Sequence, residues 1–255
     1  MTRQQAENRI QELRKILWEN SRKYYVENAP VISDYDYDHL MYELADLENQ
    51  YPDLITPDSP TRKVGSDLEN SDENGKTVPS ARKEFAQYPH KYPMLSLGNT
   101  YNIGEIEDFV ARASKTISAP FTYSCELKFD GTAICLTYRN GVLFRALTRG
   151  DGVIGDDVTE NVRHISNIPE KLRGAGYPEE FEIRGEILMP YSAFDKLNEE
   201  RIQNEDQPFA NPRNAASGSL KLLDPKEVGR RGLWCTLYHI PSPNVNFATH
   251  DEALN

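Results

Sequence analysis

The stretch FTYSCELKFDGTAICLTYRNGVLFRALTRG, residues 121–150, decides the fold. Polar and apolar residues alternate through most of it, and it is rich in β-branched and aromatic residues, the pattern of strands that bury one face. Asn140-Gly141 falls between two such runs, and this dipeptide closes a tight hairpin because both residues tolerate positive φ. The two arms are therefore antiparallel. That geometry bears on Gly150-Asp151-Gly152-Val153-Ile154-Gly155, a literal G-x-G-x-x-G. Such a fingerprint has its dinucleotide meaning only where the first strand of a βαβ unit feeds a helix. Here the strand into Gly150 is the second arm of a hairpin, and Asp151, Asp156 and Asp157 bring negative charge to where a pyrophosphate would sit. The pattern is not a Rossmann turn. Asp157-Val158-Thr159-Glu160 reads as a helix cap, with Glu160 at the third helical position.

Toward the C-terminus, EEFEIRGEILMP (179–190) reads as a strand, Tyr191 to Arg201 as a helix, FANPRNAASGSLKLLDP (209–225) as a turn and short helix, and GLWCTLYHI (232–240) as a strand before a polar tail. Toward the N-terminus, Ile10, Leu13, Leu17 and Tyr24 recur at helical spacing up to Pro30. Ser33 to Asp36 is an S-x-x-D helix start, and Tyr37, Leu40, Leu44 and Leu47 continue a second apolar stripe to Tyr51-Pro52. The two stripes predict a helical hairpin. SDLENSDENGKTVPS (66–80) is acidic and aperiodic, the texture of a connector. We expect an α+β protein with a helical unit over 1–68 and a domain of antiparallel sheets over 69–255.

Apolar residues make up 38% and charged residues 27%, and apolar runs stay far short of the roughly 20 residues a membrane helix needs. No membrane partner is expected. Cys125, Cys135 and Cys235 form no C-x-x-C pair, which argues against a disulfide framework or a complete zinc site. Polar residues follow Met1, so no secretory signal is expected and the reading is a reduced, cytoplasmic protein. The net charge of -11 repels phosphate backbones, so tight DNA binding by this chain alone is not expected.

The chemistry concentrates in Cys125-Glu126-Leu127-Lys128-Phe129-Asp130-Gly131. Period-two alternation puts Glu126, Lys128 and Asp130 on one face of a strand. In isolation K-x-D-G fits a solvent-facing strand with a salt-bridging lysine. With its surroundings, CELKFDG resembles the nucleophile motif of the nucleotidyltransferase superfamily, and together with TRGDGVIGDDVTENVR, EIRGE and FANPRNAASGSLKLLDP it resembles the NAD-dependent bacterial DNA ligases over nearly the whole chain. The resemblance implies that Lys128 attacks the adenylyl phosphate of NAD, releases NMN and holds AMP through a phosphoramide bond. An ordinary lysine amine, of pKa ~10.4, is protonated near neutrality, so nearby cations are needed to favour the neutral nucleophile. The resemblance supplies Arg149 and Arg213 as phosphate or ribose contacts. It assigns Glu126 to the adenine edge, and Asp130 to the lysine, ribose or a metal-bound water.

By the same resemblance Glu186 is an acid at the nucleotide site, Tyr238 stacks on adenine, and Ser96 and Leu97 line the pocket. Without it, Glu182, Arg184 and Glu186 read as an exposed ladder of charge pairs and Tyr238 as core. In the helical hairpin, Asp34, Tyr37 and Asp38 share a helix face, and with Tyr24 they suit a cationic nicotinamide ring and its ribose. The resemblance makes this hairpin the NMN-binding element that selects NAD over ATP. Tyr25 stands where many members carry histidine, and Lys221, a phosphate contact, where many carry arginine, whose bidentate fork becomes a point charge. Magnesium is expected as a cofactor, though no dense carboxylate cage marks a site for it.

The superfamily pattern continues with two further lysine-bearing strands, and the ligases add an OB-fold, a zinc module, helix-hairpin-helix repeats and a BRCT domain. None is found in residues 239–255. The expectation is an N-terminal portion of a ligase that keeps much of the NAD pocket and does not seal nicked double-stranded DNA. The alternatives are an ATP-dependent nucleotidyltransferase and a non-catalytic NAD-binding module.

Overall fold

A computed structural model describes residues 1–25, 31–62, 85–245 and 247–254; the side chains of Tyr24, Tyr25 and Asp34 are outside that description. Pro30, the acidic stretch 66–80 and the boundary at 68/69 also lie outside the described residues.

Helices α1 (Arg3–Tyr25) and α2 (Asp34–Gln50) form the expected hairpin. Their apolar stripes meet, burying Ile10, Leu13, Leu17, Leu44 and Leu47 with Ala6. Ser33 caps α2, its hydroxyl oxygen accepting from the Asp36 N–H at 3.1 Å. Glu48 is buried near the C-terminal end of α2 and fully engaged. Arg14 Nη2 donates to its Oε1 at 2.6 Å, Ser59 Oγ donates to the same oxygen at 2.6 Å, and Thr61 donates to the other oxygen. One carboxylate thus ties α1, α2 and residues 59–61 together.

The second part is built on a four-stranded sheet of β2 (Thr132–Arg139), β3 (Val142–Thr148), β5 (Glu180–Leu188) and β6 (Trp234–His239), antiparallel throughout and in the spatial order β3-β2-β5-β6. Asn140 and Gly141 both have positive φ, 48° and 72°, so the β2–β3 turn has the backbone that Asn-Gly promised. One sheet face packs Ile134, Leu136, Phe181 and Ile187 against residues of α4 (Thr159–Val162), α6 (Pro212–Leu220) and α7 (Pro225–Arg230). The other face carries Glu182, Arg184 and Glu186 of β5 opposite Thr137, Cys135 and Ala133 of β2. A two-stranded ladder joins β1 (Gln87–Pro89) to β4 (Ile154–Asp156) beside it. Helix α3 (Ile103–Thr116) has no buried residue; α5 (Tyr191–Gln203) contributes Leu197 to the core, and α8 (His250–Leu254) lies within the expected polar tail.

Two local expectations change. Residues 119–131, which include CELKFDG, belong to no strand, and Leu127 is 80% exposed. Alternation makes a segment competent to pair, but a ladder needs a neighbour, and among the described residues none hydrogen-bonds to this one as a strand. Glu160 is the second residue of α4, not the third, although Asp157 still accepts from the Thr159 N–H at 3.0 Å.

Candidate functional site

The site grows from Glu186 on the open face of β5. In register it stands opposite Ala133 of β2 and Thr236 of β6. Burial raises its carboxyl above the ordinary range, while the Arg213 guanidinium, the Gly131 backbone N–H, the Lys128 ammonium and the Arg149 guanidinium pull it back down. Three cations from three parts of the chain thus act on one half-sequestered acid. Gly131 has a steric reason to be glycine, because a Cβ there would sit 2.2 Å from the Ile187 carbonyl oxygen. Its lack of a side chain lets the start of β2 close on β5 and brings its N–H to Glu186.

Arg213 is held at the start of α6, where the Asn211 side chain accepts from the Asn214 N–H and Pro212 opens the helix. Its Nη1 donates to Asp130 at 3.0 Å, so the acid of K-x-D-G orients this arginine. Tyr238 lies on β6 beyond Thr236, and its phenol is pushed up to about 12 by burial and then by the Glu186 charge, with Arg184 and Arg149 opposing. A half-buried ring beside a half-buried acid can offer a flat apolar surface and a hydroxyl donor together.

Arg149 leaves the end of β3 on a tightly bonded loop. The Asp151 carboxylate accepts from the N–H groups of Val153 and Ile154 at 2.8 and 2.7 Å, and Thr148 Oγ1 accepts from the Asp156 N–H at 3.0 Å. Asp151, one of the acids that speak against a pyrophosphate at this loop, thus serves to fold it. Arg149 Nη1 donates to Ser96 Oγ at 3.3 Å, which joins Ser96 to the cluster. Lys221, at the C-cap of α6, has its ammonium 3.2 Å from Asp156.

The structure therefore brings Lys128, Asp130, Arg149, Glu186, Arg213 and Tyr238 to one sheet face, with Ser96 attached through Arg149. Other sequence candidates stand differently. Leu97 is 77% exposed. Glu126 accepts from Ser124 Oγ at 3.2 Å and lies 2.9 Å from His250 Nε2. Tyr37 does not present a bare phenol on the shared helix face: its hydroxyl is 2.6 Å from Ser21 Oγ of α1, and its ring packs on the hairpin core. Asp38 accepts from Asn99 Nδ2 at 2.8 Å and from the Tyr101 hydroxyl, linking α2 to the segment just after Ser96-Leu97. The side chains of Tyr24, Tyr25 and Asp34 lie outside the described residues. The backbone of Gly131 and the hydroxyl of Thr148 were not singled out from sequence. The Asp-Gly step directly before a strand was the available signal for the first; a threonine in a strand-rich run gives none for the second.

Among the described residues, no group of three or more His, Cys, Asp or Glu side chains is placed to hold a metal ion. None of the described helices is long and apolar enough to cross a membrane.

Two family models match. Residues 82–255 match the NAD-dependent DNA ligase adenylation domain, and residues 3–65 match the DNA ligase-like, N-terminal NAD+-binding domain. A protein named DNA ligase from Parabacteroides distasonis is 50% identical over 249 residues, 98% of this chain and 36% of the relative. Proteins of the same name from Phocaeicola vulgatus and Bacteroides fragilis are 50% and 49% identical over 96% and 98% of this chain, and 35% and 36% of their own lengths. The chain spans about a third of the length of the curated relatives it matches. The two matched regions meet the hairpin and the sheet domain described above, and on that basis the chain belongs to the NAD-dependent DNA ligase family.

Proposed function

We propose that the chain carries out the first step of NAD-dependent DNA ligation, self-adenylation. The observation that carries this reading is the convergence of Lys128, Arg149 and Arg213 on Glu186 beside the Tyr238 ring. In this step the neutral Lys128 amine attacks the adenylyl phosphorus of NAD. An N–P bond forms, the P–O bond to NMN breaks with its electrons leaving on the NMN phosphate, and the amine proton passes to solvent. Arg149 and Arg213 offset the negative charge of the reacting phosphates. Tyr238 supplies a surface on which adenine stacks, Glu186 accepts from a ribose hydroxyl, Asp130 sets the angle of Arg213, and Ser96 with Leu97 lines the pocket edge. Glu126 reads the adenine edge, and Lys221 adds positive charge at the phosphate end.

The hairpin, with Tyr24, Tyr25, Asp34, Tyr37 and Asp38, is the NMN-binding element in this reading, and the two domains divide near residue 68. The separate family matches over 3–65 and 82–255 support that division. The described side chains do not fit a dedicated magnesium cage. Magnesium would arrive bound to the phosphates of NAD and offset part of their charge. Transfer of AMP to a DNA 5'-phosphate and nick closure belong to the full-length enzyme in the cytoplasm.

Intact-protein mass spectrometry before and after NAD and magnesium tests the proposal. The expected result is a gain of one adenylyl group, lost in Lys128→Ala. An adduct of equal yield in Lys128→Ala would remove Lys128 as the nucleophile.

A further inference from the structure

We propose that His90 is the positioning residue of the Arg149 loop. It stands directly after β1, and its Nε2 lies 3.0 Å from the Arg149 carbonyl oxygen. A carbonyl can only accept, so Nε2 carries a proton and the ring donates. The same oxygen accepts from the Gly152 N–H at 3.0 Å, so both of its lone pairs are used at the point where the chain turns back on itself. The other ring nitrogen, Nδ1, is buried and makes no hydrogen bond, which leaves the donor bond as the polar work of this side chain.

Two further observations show that the loop is shaped around the ring. The His90 backbone N–H donates to the Val153 carbonyl at 2.8 Å and the Met94 N–H to the Gly152 carbonyl at 2.9 Å, so residues 90–94 bracket the far side of the loop. Gly155 leaves the space the imidazole occupies: a Cβ there would lie 2.9 Å from His90 Nε2 and 2.0 Å from the Thr148 carbonyl oxygen. The last glycine of the G-x-G-x-x-G pattern is thereby explained first by the Thr148 carbonyl and then by the ring of a histidine just after β1, and not by a phosphate. Gly150 and Gly152 take positive φ, 55° and 90°, to complete the turn. His90 touches no candidate substrate atom. It acts through the backbone of Arg149, whose guanidinium then reaches Ser96 and the Glu186 face.

The functional part of this inference rests on the assignment of Arg149 to the nucleotide; the structural part does not. Amide hydrogen exchange read residue by residue, with an AMP titration on the same samples, separates the two. In His90→Ala, exchange at Gly152, Val153, Ile154 and Asp156 is expected to speed up about tenfold, the loss of one hydrogen bond, while the β2–β5 ladder is unchanged. His90→Gln, whose amide nitrogen can donate from a similar reach, is expected to restore slow exchange. AMP affinity should fall about tenfold in His90→Ala, in the same direction as in Arg149→Ala, and recover in His90→Gln. Unchanged loop exchange in His90→Ala, acceleration spread equally over the sheet, or a glutamine variant that behaves like alanine would overturn the proposal. So would normal AMP affinity in His90→Ala when Arg149→Ala is weakened. If the loop responds as expected and the wild type binds no AMP, the positioning role stands and the nucleotide reading falls.

Discussion

Two glutamates, Glu48 and Glu186, divide the molecule. Glu48 in the hairpin is buried, which by itself pushes its carboxyl up, yet bonds from Ser59, Thr61 and Arg14 outweigh the burial and hold it below the ordinary value. Glu186 on the sheet is raised, because Arg213, the Gly131 N–H, Lys128 and Arg149 do not fully offset its burial. The first is a staple whose partners are all supplied by the fold. The second sits among cations whose other obligations are partial, such as Arg213 to Asp130 and Arg149 to Ser96. Nearby, Glu182 Oε2 and Arg184 Nε are buried without hydrogen-bond partners. A carboxylate that completes its own network stabilises structure, and one left short of donors is suited to meet a ligand.

Neutralising each acid in turn separates the two roles. The two tryptophans, Trp18 in α1 and Trp234 in β6, give each region its own reporter once the other is changed to phenylalanine. Glu48→Gln should lower hairpin stability by roughly 3 kcal/mol in urea unfolding followed by Trp18, the low end for a broken buried pair because Arg14 also donates to the Leu54 carbonyl. Glu186→Gln should move the Trp234 transition by less than about 1 kcal/mol. Equal losses would erase the distinction. Next in size, Arg149→Ala should weaken AMP binding by about ten- to a hundredfold, the range of a charged hydrogen bond, with the Trp234 midpoint unchanged; calorimetric titration reads it.

The pH dependence should carry opposite signs. The Glu48 contribution is full above the ordinary value of 4.5 and is lost as pH falls through its lower folded value. The Glu186 contribution is full below 4.5 and declines as pH rises through its higher folded value. Stability measured by each tryptophan across acidic pH should therefore slope in opposite directions, and each slope should flatten in the matching glutamine variant. The smallest effect is Ser96→Ala, expected to cost about fivefold or less in AMP affinity, since its 3.3 Å bond to Arg149 is long and exposed.

The hairpin and the sheet were legible because each has a local signature: helical stripes that bury Leu17 and Leu44, and an Asn-Gly turn with positive φ at both residues. The candidate site was legible mainly through resemblance, since Lys128, Glu186 and Arg213 come from distant segments. Where reading failed, the missing information was tertiary. The alternation of CELKFDG is real, but pairing depends on a neighbour that no pattern within the segment reveals. Tyr37 shares a helix turn with Asp34 and Asp38, yet a hydroxyl on the facing helix, that of Ser21, fixes its direction. His90 directly follows a short strand with no periodicity to notice, and its role exists only because β1 lies against β4.

The strand order has a consequence in time. β2 comes before the other three strands of its sheet in sequence but lies inside the sheet, and its later neighbour β5 pairs Thr132 with Ile187 and Arg139 with Glu180. On a ribosome adding about 5–20 residues per second, the β2–β3 hairpin waits several seconds with one edge unpaired, its apolar Ile134 and Leu136 uncovered, before β5 is made. The α1–α2 hairpin needs only neighbours already synthesised. Nascent chains of this protein should therefore be most prone to edge-to-edge association in the interval between the two, when the helical unit is complete and the sheet is half built.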